Sequence, residues 1–461
     1  MRITTSNKRR RNLWILIIGI ALVILLASTL TTLFEEPHDV TTFVSTPQVG
    51  AFTVEYPTQS HETSPSGIAV DSAGDVWFGL ENASSLAELI PQNGTIHEYH
   101  VPGLADGVMV TWGIAVDDVT STVWFTEQSS NSIWSFNVTS HHFTQYKLKT
   151  FGAFPFAITI DSSQNIWFTE LEGNKLGEIS SSGDLVEMSI PVGGAPAPSG
   201  IAVAPNGTIW FTLPNANSIG SYADGTFHID NLSRDIYLPV GISVDQKGNV
   251  WMTQHGASFI TEFDPAKNYL MTFSTSNNSL PASLPYFCYV DSAGDLWINE
   301  HQGNAEAEYF PSNSTLVEYF IPSTVPAGNI SYALTSGISP SGQPWYAELL
   351  TGKVGTVNLT KKVDVDLNLM NYSGPETISN YGTLNLPLAV NSGSTFTSLK
   401  AYVGNFTGNF TFTFTPQNGN GSFDSTLFLR TTGAAPGIYF ITLTARTNAV
   451  AVSRIIEIKV I

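Results

Sequence analysis

The sequence predicts an all-β protein: a seven-bladed β-propeller, preceded by a transmembrane helix and followed by an immunoglobulin-like β-sandwich. Three observations support this fold class. A strand motif with a tryptophan occurs seven times, an uncharged apolar run lies near the N-terminus, and the C-terminal region alternates apolar and polar residues without the repeat. The 461 residues are enough for two or three domains.

The repeat consists of an apolar strand, a short turn and a strand that carries the tryptophan, as in SGIAVDSAGDVWFGL at residues 66–80. The tryptophans are Trp77, Trp124, Trp167, Trp210, Trp251, Trp297 and Trp345, at intervals of 47, 43, 43, 41, 46 and 48 residues. A period of this size, built from short strands without helices, is typical of propeller blades that bury their apolar faces against each other. We therefore predict seven blades of four strands over residues 51–361.

The two ends of the repeat region complement each other. Residues 51–57, AFTVEYP, match the strand that ends later repeats, such as LVEYFIP at residues 316–322, but no tryptophan strand precedes them. The last repeat stops after three strands, near Leu359. We predict that Phe52–Tyr56 supplies the outer strand of the seventh blade, which closes the ring and leaves no open sheet edge.

Residues 13–33 are a run of 21 apolar, uncharged residues, long enough to cross a bilayer as a helix. The basic cluster Lys8–Arg11 precedes it, so residues 1–12 are predicted as a cytoplasmic tail, residues 34–50 as a linker and the bulk of the chain as extracellular. A cleaved signal peptide is the alternative, and we favour the single-pass anchor because of its length. Asn-x-Ser/Thr sequons from Asn82 to Asn420 agree with an extracellular glycoprotein.

The charge distribution argues against nucleic acid as a partner. The net charge is −19, and five of the 19 basic residues lie before residue 12, whereas the first acidic residue is Glu35. The rest of the chain is therefore strongly acidic and repels nucleic acid and anionic lipid headgroups. The single cysteine, Cys288, rules out an internal disulfide and is predicted to be a small buried apolar residue.

Residues 362–461 lack the repeat. They alternate apolar and polar residues in short segments such as TLNLPLAV, STLFLR and GIYFITLTA. About seven such strands in roughly 100 residues favour an immunoglobulin-like β-sandwich.

Three copies of the repeat share further residues around and after the tryptophan. These are Trp124–Glu127 with Asn131–Ile133, Trp167–Glu170 with Gly173–Gly177, and Trp297–Glu300 with Gly303–Asn304. In these residues the repeat resembles the virginiamycin B (streptogramin) lyases and, more loosely, NHL-repeat and gluconolactonase-like propellers. The resemblance covers the repeat region, not the anchor or the C-terminal region, and it implies a seven-bladed propeller.

The same resemblance argues against the family's reaction, a metal-assisted elimination that opens a cyclic peptide lactone. It implies catalytic histidines at the starts of inner strands, directly after a proline, with a glutamate before one of these prolines. The corresponding positions here hold no histidine: Ser66, Trp112, Phe156, Ser199, Val240, Tyr286 and Tyr332. No catalytic residue carries over, because an elimination needs a base and neutral aromatic side chains do not replace histidine in that role.

The third residue after each tryptophan ends its strand near one mouth of the central channel. These positions hold Leu80, Glu127, Glu170, Leu213, Gln254, Glu300 and Glu348. Four carboxylates at one rim, Glu127, Glu170, Glu300 and Glu348, are candidate oxygen ligands for a divalent cation such as Ca²⁺ or Mg²⁺. Gluconolactonase-like propellers bind metal through an acid near this place. The competing and favoured interpretation is structural, with each glutamate accepting hydrogen bonds from its own loop.

Aromatic residues and histidines complete the candidate site. Trp112, Phe156, Tyr286 and Tyr332 stand at inner-strand starts, and Gln254, His255 and His301 stand at the ends of tryptophan strands. If both groups open on one mouth, flat apolar faces and hydrogen-bond acceptors together suit a glycan, a peptide or a cyclic ligand. Two alternatives stay open: the rings plug the channel as core, and the histidines point away from it.

Three functions follow from these observations. The favoured one is a membrane-tethered extracellular module that binds a ligand or a protein partner, because the lyase histidines are missing and the rim is aromatic. The second is a divergent metal-dependent lyase or lactonase that uses the rim glutamates. The third is a purely structural component of the cell envelope.

Overall fold

The computed structural model describes residues 40–59, 64–232, 236–275, 283–324, 331–404 and 409–461. The predicted cytoplasmic tail and transmembrane helix lie outside these ranges. Within them, no helix is long and apolar enough to cross a membrane, and the helical elements are two single 3₁₀ turns, Glu81–Ala83 and Pro214–Ala216. The described chain is otherwise built from strands and loops.

In the described ranges, the repeats form seven antiparallel sheets of at least four strands, with the first strand of each repeat at one edge. Strands β1 (Val40–Val44), β2 (Gln48–Val49) and β3 (Thr53–Pro57) come first. Blade 1 contains β4 (Pro65–Val70), β5 (Val76–Leu80), β6 (Ser85–Ile90) and β7 (Thr95–His100). Blade 2 contains β8 (Ile114–Asp117), β9 (Thr122–Glu127), β10 (Ser132–Asn137) and β11 (His142–Lys147). Blade 3 contains β12 (Pro155–Ile160), β13 (Ile166–Glu170), β14 (Lys175–Ile179) and β15 (Leu185–Ser189).

The second half of the ring follows the same order. Blade 4 contains β16 (Ile201–Val203), β17 (Ile209–Leu213), β18 (Ser218–Ala223) and β19 (Thr226–Asn231). Blade 5 contains β20 (Pro239–Val244), β21 (Val250–Gln254), β22 (Phe259–Asp264) and β23 (Tyr269–Ser274). Blade 6 contains β24 (Pro285–Val290), β25 (Leu296–Glu300), β26 (Ala305–Phe310) and β27 (Thr315–Phe320). Blade 7 contains β28 (Ala333–Ile338), β29 (Pro344–Glu348) and β30 (Lys353–Val357), and its outer strand is β3.

The N-terminal strand closes the ring as predicted. β3 pairs antiparallel with β30, with Thr53 opposite Val357 and Pro57 opposite Lys353. An ion pair crosses this junction: Lys353 Nζ lies 2.9 Å from Glu55 Oε2, and both side chains are largely buried. The first and last parts of the repeat region therefore share one sheet.

The repeat tryptophans pack between blades. Trp77 in blade 1 is fully buried, and its ring centroid lies 6.0 Å from that of Phe136 in blade 2. Its indole nitrogen donates a 3.1 Å hydrogen bond to Asp71, whose second oxygen caps the turn after the inner strand. The Asp at the end of the GIAVD strand thus ties the inner strand, the turn and the tryptophan strand together.

A threonine after the tryptophan links consecutive blades. Thr169 accepts a hydrogen bond from the Ala157 amide of its own inner strand at 3.1 Å and donates to the Ser199 carbonyl of blade 4 at 2.7 Å. Three other threonines make the same type of bridge to the next blade: Thr126 to Phe156, Thr212 to Val240 and Thr253 to Tyr286. These bridges hold the starts of the inner strands, where the candidate site lies.

The C-terminal region forms two sheets in the described residues. Its strands are β31 (Val365–Leu369), β32 (Glu376–Ile378), β33 (Thr383–Ser392), β34 (Thr397–Val403), β35 (Phe410–Thr415), β36 (Asn418–Gly419), β37 (Phe423–Thr431), β38 (Gly437–Arg446) and β39 (Val450–Val460). One sheet has the order β31-β33-β37-β35; in the other, β39-β38-β34-β36, β39 also pairs with β27 of blade 6. Apolar residues of both sheets, such as Leu388 and Leu443, share one buried cluster. The continuous sheet with blade 6 was not predicted, and the immunoglobulin-like arrangement stays a prediction.

Candidate ligand site at the channel mouth

The inner-strand starts and the tryptophan-strand ends lie at the same mouth of the channel. The strand register places Pro155 opposite Glu170 and Pro285 opposite Glu300. In blade 5, Pro239 is opposite Gln254 in the same way. The two groups of predicted site residues therefore come from one face of the ring.

Two of these residues cap their own loops. The Glu127 carboxylate accepts hydrogen bonds from the amides of Val110 at 3.2 Å and Ser130 at 2.6 Å. The Gln254 amide oxygen accepts from the Tyr237 amide at 2.8 Å, and its nitrogen donates to Thr261. Both side chains are fully buried, so they fix backbone instead of facing a ligand.

Glu170 lies inside blade 3, beside a second carboxylate. Burial, and then the negative charge of Glu187, raise the pKa of Glu170 to about 8. Glu187 accepts hydrogen bonds from the amides of Lys149 at 3.0 Å and Thr150 at 2.9 Å. Although burial opposes it, these bonds lower the pKa of Glu187, so Glu170 is the member of the pair that keeps its proton at neutral pH.

Glu300 and Glu348 are also directed into their blades. Burial, and then Glu318 of the same blade, raise the pKa of Glu300 well above its usual range. Glu348 accepts a hydrogen bond from Thr351, and burial and the nearby Glu55 raise its pKa.

The four rim glutamates belong to four different blades, and their neighbours differ. In the described part of the chain, the group of three acidic residues with ligand atoms within 4.8 Å of one another is Asp291, Asp295 and Glu308. Asp291 and Asp295 lie in the turn between β24 and β25, at the end of blade 6 opposite Glu300. The metal prediction for Glu127, Glu170, Glu300 and Glu348 thus gains no geometric support.

Six other predicted residues do meet. They are Trp112, Phe156, His255, Tyr286, His301 and Tyr332, and we call them the ring cluster. Trp112 stacks on Phe156 at 5.3 Å between ring centroids and lies 6.0 Å from Tyr286. His255 stacks on His301 at 5.1 Å, and each contacts the edge or face of Tyr286, at 5.0 and 5.7 Å. His301 also lies 5.9 Å from Tyr332. Five blades thus contribute to one aromatic surface.

The ring cluster combines the two roles that the sequence left open. Phe156 and His301 are 3% and 5% exposed, so they belong to the core of the mouth. Trp112, Tyr286 and Tyr332 are half-buried. The cluster is therefore partly core and partly exposed surface.

The two imidazoles are uncharged at neutral pH. His301 Nδ1 is 2.8 Å from the Leu284 carbonyl, and burial together with the neighbouring His255 lowers the pKa of His301 to about 4. Burial also lowers the pKa of His255. The expectation that both histidines could point away from the channel is not met, because both pack on the aromatic side chains of the mouth.

One residue at the mouth was missed by the sequence analysis. Glu81 follows Leu80, the position predicted to end the tryptophan strand of blade 1, and begins the 3₁₀ turn. Burial raises the pKa of Glu81, and the nearby Ser66 side chain and Thr111 backbone oppose this only in part. A comparison of residues at a fixed distance from the tryptophan selects Leu80 and overlooks the acidic residue beside it.

Below the ring cluster, the inner strands enclose a central cavity of about 320 Å³. All seven blades contribute to its lining, which includes Trp112 at the mouth and residues such as Thr159, Ser243 and Ser336 deeper in the channel. No charged residue lines it in the described part of the chain. The charged groups of the mouth are therefore confined to its rim.

The repeat region is similar to a known protein family and to several solved structures. Residues 51–325 match the Virginiamycin B lyase family. A streptogramin B lyase structure is 24% identical, with 67% of this chain and 97% of that chain covered and a TM-score of 0.59. Virginiamycin B lyase from Staphylococcus aureus is 23% identical, with coverage of 70% and 100% and a TM-score of 0.58. A catalytically inactive variant of that lyase, in a structure with quinupristin, gives 24% identity and a TM-score of 0.58. Among curated proteins, none matches the chain.

Proposed function

Because the chain belongs to the virginiamycin B lyase family, we propose that its propeller has kept the scaffold and uses the channel mouth to bind a ligand without chemical turnover. The ligand packs a flat apolar face, such as that of a cyclic peptide, on the ring cluster. In this proposal, residues 13–33 anchor the propeller at the outer surface of the membrane.

The ring cluster is the observation that carries the proposal. Aromatic side chains provide large, rigid contact area and are enriched at ligand and protein interfaces. Here they occupy the inner-strand starts, the positions at which the family resemblance implies catalytic histidines. Trp112, Phe156, Tyr286 and Tyr332 offer stacking surface at these positions but no group that takes a proton at neutral pH.

A loop next to the ring cluster adds exposed apolar surface. Phe151 is fully exposed and Phe154 is 39% exposed, and both lie in the loop that leads into the inner strand of blade 3. The loop is ordered by Asn131, which accepts from the Ala153 amide at 2.7 Å and donates to the Thr150 carbonyl at 2.8 Å. An exposed phenylalanine on a fixed loop loses little conformational entropy on binding, which supports a role in ligand contact.

Quinupristin, the molecule in the similar lyase structure, is a suitable first probe. We would measure its binding to the full-length chain by isothermal titration calorimetry, and its integrity after incubation by liquid chromatography with mass spectrometry. We expect quinupristin to bind and its own ring to stay closed. Trp112→Ala and Tyr286→Ala should each lower the affinity by a factor of about ten or more, because buried aromatic anchors dominate binding energy.

Tyr269→Ala is the matched control, because Tyr269 is a 43% exposed tyrosine on the outer strand of blade 5. It should bind like the unsubstituted chain. Equal affinity in all variants would refute binding at the ring cluster. A ring-opened product that disappears in His301→Ala would refute the absence of turnover.

A further inference from the structure

We propose that the mouth face of the propeller docks on the lipid bilayer that anchors the chain, through exposed apolar side chains of the mouth loops. This inference rests on the proposed function, in which residues 13–33 are the membrane anchor, and it adds which face of the propeller meets the bilayer. Three observations support it: the direction in which the chain enters blade 1, the apolar residues of the mouth loops, and the distribution of charge between the two faces.

The outer strand of blade 1, β7, runs towards the mouth. The register places its last residue, His100, opposite Ser85, and Ser85 opposite Leu80 at the end of the tryptophan strand. The turn before β7, with Gly94, therefore lies at the other end of the blade. We call this end of the ring, where the inner strand of each blade turns into its tryptophan strand, the far face.

The N-terminal strand β1 pairs with β7 and runs away from the mouth. The Thr42 hydroxyl is 2.8 Å from His97 Nδ1, and the Ser45 amide donates a 2.8 Å hydrogen bond to the Gly94 carbonyl at the far face. The chain before Thr42 therefore enters from the mouth side. Residues 34–41 join Thr42 to the predicted anchor and span at most about 30 Å when fully extended. This short connection favours a bilayer on the mouth side.

Exposed apolar side chains occur in the mouth loops of four blades. These loops join the tryptophan strand to the third strand, or the outer strand to the next inner strand. The apolar residues in them, each at least 39% exposed, are Val108, Phe151, Phe154, Tyr237 and Leu350. Exposed apolar side chains on one face mark interaction sites, and aromatic rings are favoured at the boundary between headgroups and acyl chains.

The far face is strongly acidic. Eleven aspartates lie at its turns: Asp71, Asp75, Asp117, Asp118, Asp161, Asp184, Asp224, Asp245, Asp264, Asp291 and Asp295. The basic residues at these turns are Lys247 and Lys267. Anionic lipid headgroups repel such a surface when it comes within about 10 Å of them at moderate ionic strength. Docking through the far face is therefore disfavoured.

The mouth face is close to neutral. The acidic residues in its described loops are Glu81, Asp106 and Glu172. Lysines in these loops or at the adjoining strand ends balance them: Lys147, Lys149 and Lys175. Lys353 at the same end of blade 7 is paired with Glu55. The acidic chain thus keeps one face on which apolar contact with a bilayer meets little electrostatic repulsion.

The single cysteine makes the orientation measurable. Because Cys288 is buried, an introduced surface cysteine can be labelled selectively with the fluorophore bimane. Ala105→Cys places the label in an exposed mouth loop of blade 2, and Val119→Cys places it at the far end of that blade, at a 78% exposed position. The full-length chain is reconstituted in phosphatidylcholine vesicles with brominated acyl chains, which quench bimane on contact. We expect at least threefold stronger quenching at Ala105→Cys.

A pair of double variants tests the apolar contact. Phe151→Ser with Leu350→Ser removes exposed apolar side chains from two mouth loops and leaves the core unchanged. It should at least halve the quenching at Ala105→Cys. Val119→Ser with Tyr269→Ser is the matched control, because it removes an exposed aliphatic and an exposed aromatic side chain from the far face. The control should leave the quenching unchanged.

The outcomes separate this inference from the proposed function. Flotation of the vesicles tests the anchor first, and a chain that does not float with them would refute both the anchor and the docking. A chain that floats but shows equal quenching at the two labels would refute docking through the mouth face and leave the anchor intact. Strong quenching at Ala105→Cys that persists in the Phe151→Ser, Leu350→Ser variant would refute the role of the apolar loops. The quinupristin titration decides separately whether the ring cluster binds a ligand.

Discussion

Blades 2 to 6 are joined by a contact that is copied with the repeat, whereas the ring is closed by residues that occur once. In the described chain, Thr126, Thr169, Thr212 and Thr253 each donate to a carbonyl of the following blade. The same position holds Gly79 in blade 1, Asn299 in blade 6 and Ala347 in blade 7. At the closure, the Lys353–Glu55 ion pair connects the third strand of blade 7 to the N-terminal strand.

This difference shows how a repeat protein combines equivalent and unique interfaces. Asn299 does not bridge blades, since its amide donates to Glu306 within blade 6 at 2.8 Å. A Cβ at Gly79 would lie 3.1 Å from the Ser66 carbonyl oxygen of its own blade and 3.2 Å from the Cβ of Thr111, so a side chain there requires these neighbours to shift. The loss of one copied contact leaves three others, but the loss of the closing ion pair leaves an uncompensated buried charge.

The largest expected effect is at the closure. Lys353→Ala leaves Glu55 buried without its cation, next to Glu348. Removing one partner of a buried ion pair costs about 3–5 kcal/mol. We expect the free energy of unfolding, measured by urea denaturation, to fall by this amount. Lys267→Ala is the control, because its ion pair with Asp264 at 2.7 Å is exposed and should not measurably affect stability. Equal effects of the two substitutions would contradict the special role of the closure.

A smaller effect is expected at a copied interface. Thr169→Val keeps the shape of the side chain but leaves the Ala157 amide and the Ser199 carbonyl without their partner. Unsatisfied buried groups of this kind cost about 1–3 kcal/mol. Thr144→Val, on an exposed position of β11, is the control and should be close to neutral. If Thr169→Val destabilises as much as Lys353→Ala under the same denaturation conditions, the copied and unique interfaces are not different in kind.

The third expected effect is a pH dependence of stability, to which both blade 3 and the ring closure contribute. The pKa of Glu170 is raised from 4.5 to about 8, by burial and then by Glu187, and Lys175 and Thr150 only partly oppose this. A carboxyl group with a higher pKa in the folded state binds its proton more tightly when folded, so stability is lost as the pH rises from about 4.5 to about 8. Glu348 acts in the same direction at the closure.

Glu170→Gln should therefore flatten the loss of stability between pH 5 and pH 9, because the neutral amide has no proton to release. The measurement is the thermal midpoint across this range, with Glu172→Gln as the exposed control. A slope in Glu170→Gln as steep as in the unsubstituted chain would show that Glu170 does not carry the effect.

Much of the fold could be predicted from the sequence, because the strand motif that indicates it is local and repeated. The interval between tryptophans and the GIAVD strands predicted the blades, and the unmatched AFTVEYP segment predicted the closure that β3 makes with β30. The candidate site could be predicted only in part. Trp112, Phe156, Tyr286 and Tyr332 were found by their place at the inner-strand starts, which the repeat fixes.

The sequence alone could not decide the direction of side chains at the ends of strands. Glu127 and Glu170 have equivalent positions in the repeat, yet one is held by loop amides and the other by a second carboxylate from an outer strand. Glu81 was missed because it lies one residue after the position compared among the repeats, in the 3₁₀ turn that follows the strand.

By itself, the sequence determined the number of blades, their order and the strand that closes the ring, because hydrophobic periodicity and turn residues act within one repeat. Only the tertiary structure decided that His255 and His301 stack at the channel mouth and that β39 continues blade 6. These contacts join residues from different blades or from strands that are far apart in the sequence. They depend on how the sheets pack, and the spacing along the chain does not record that packing.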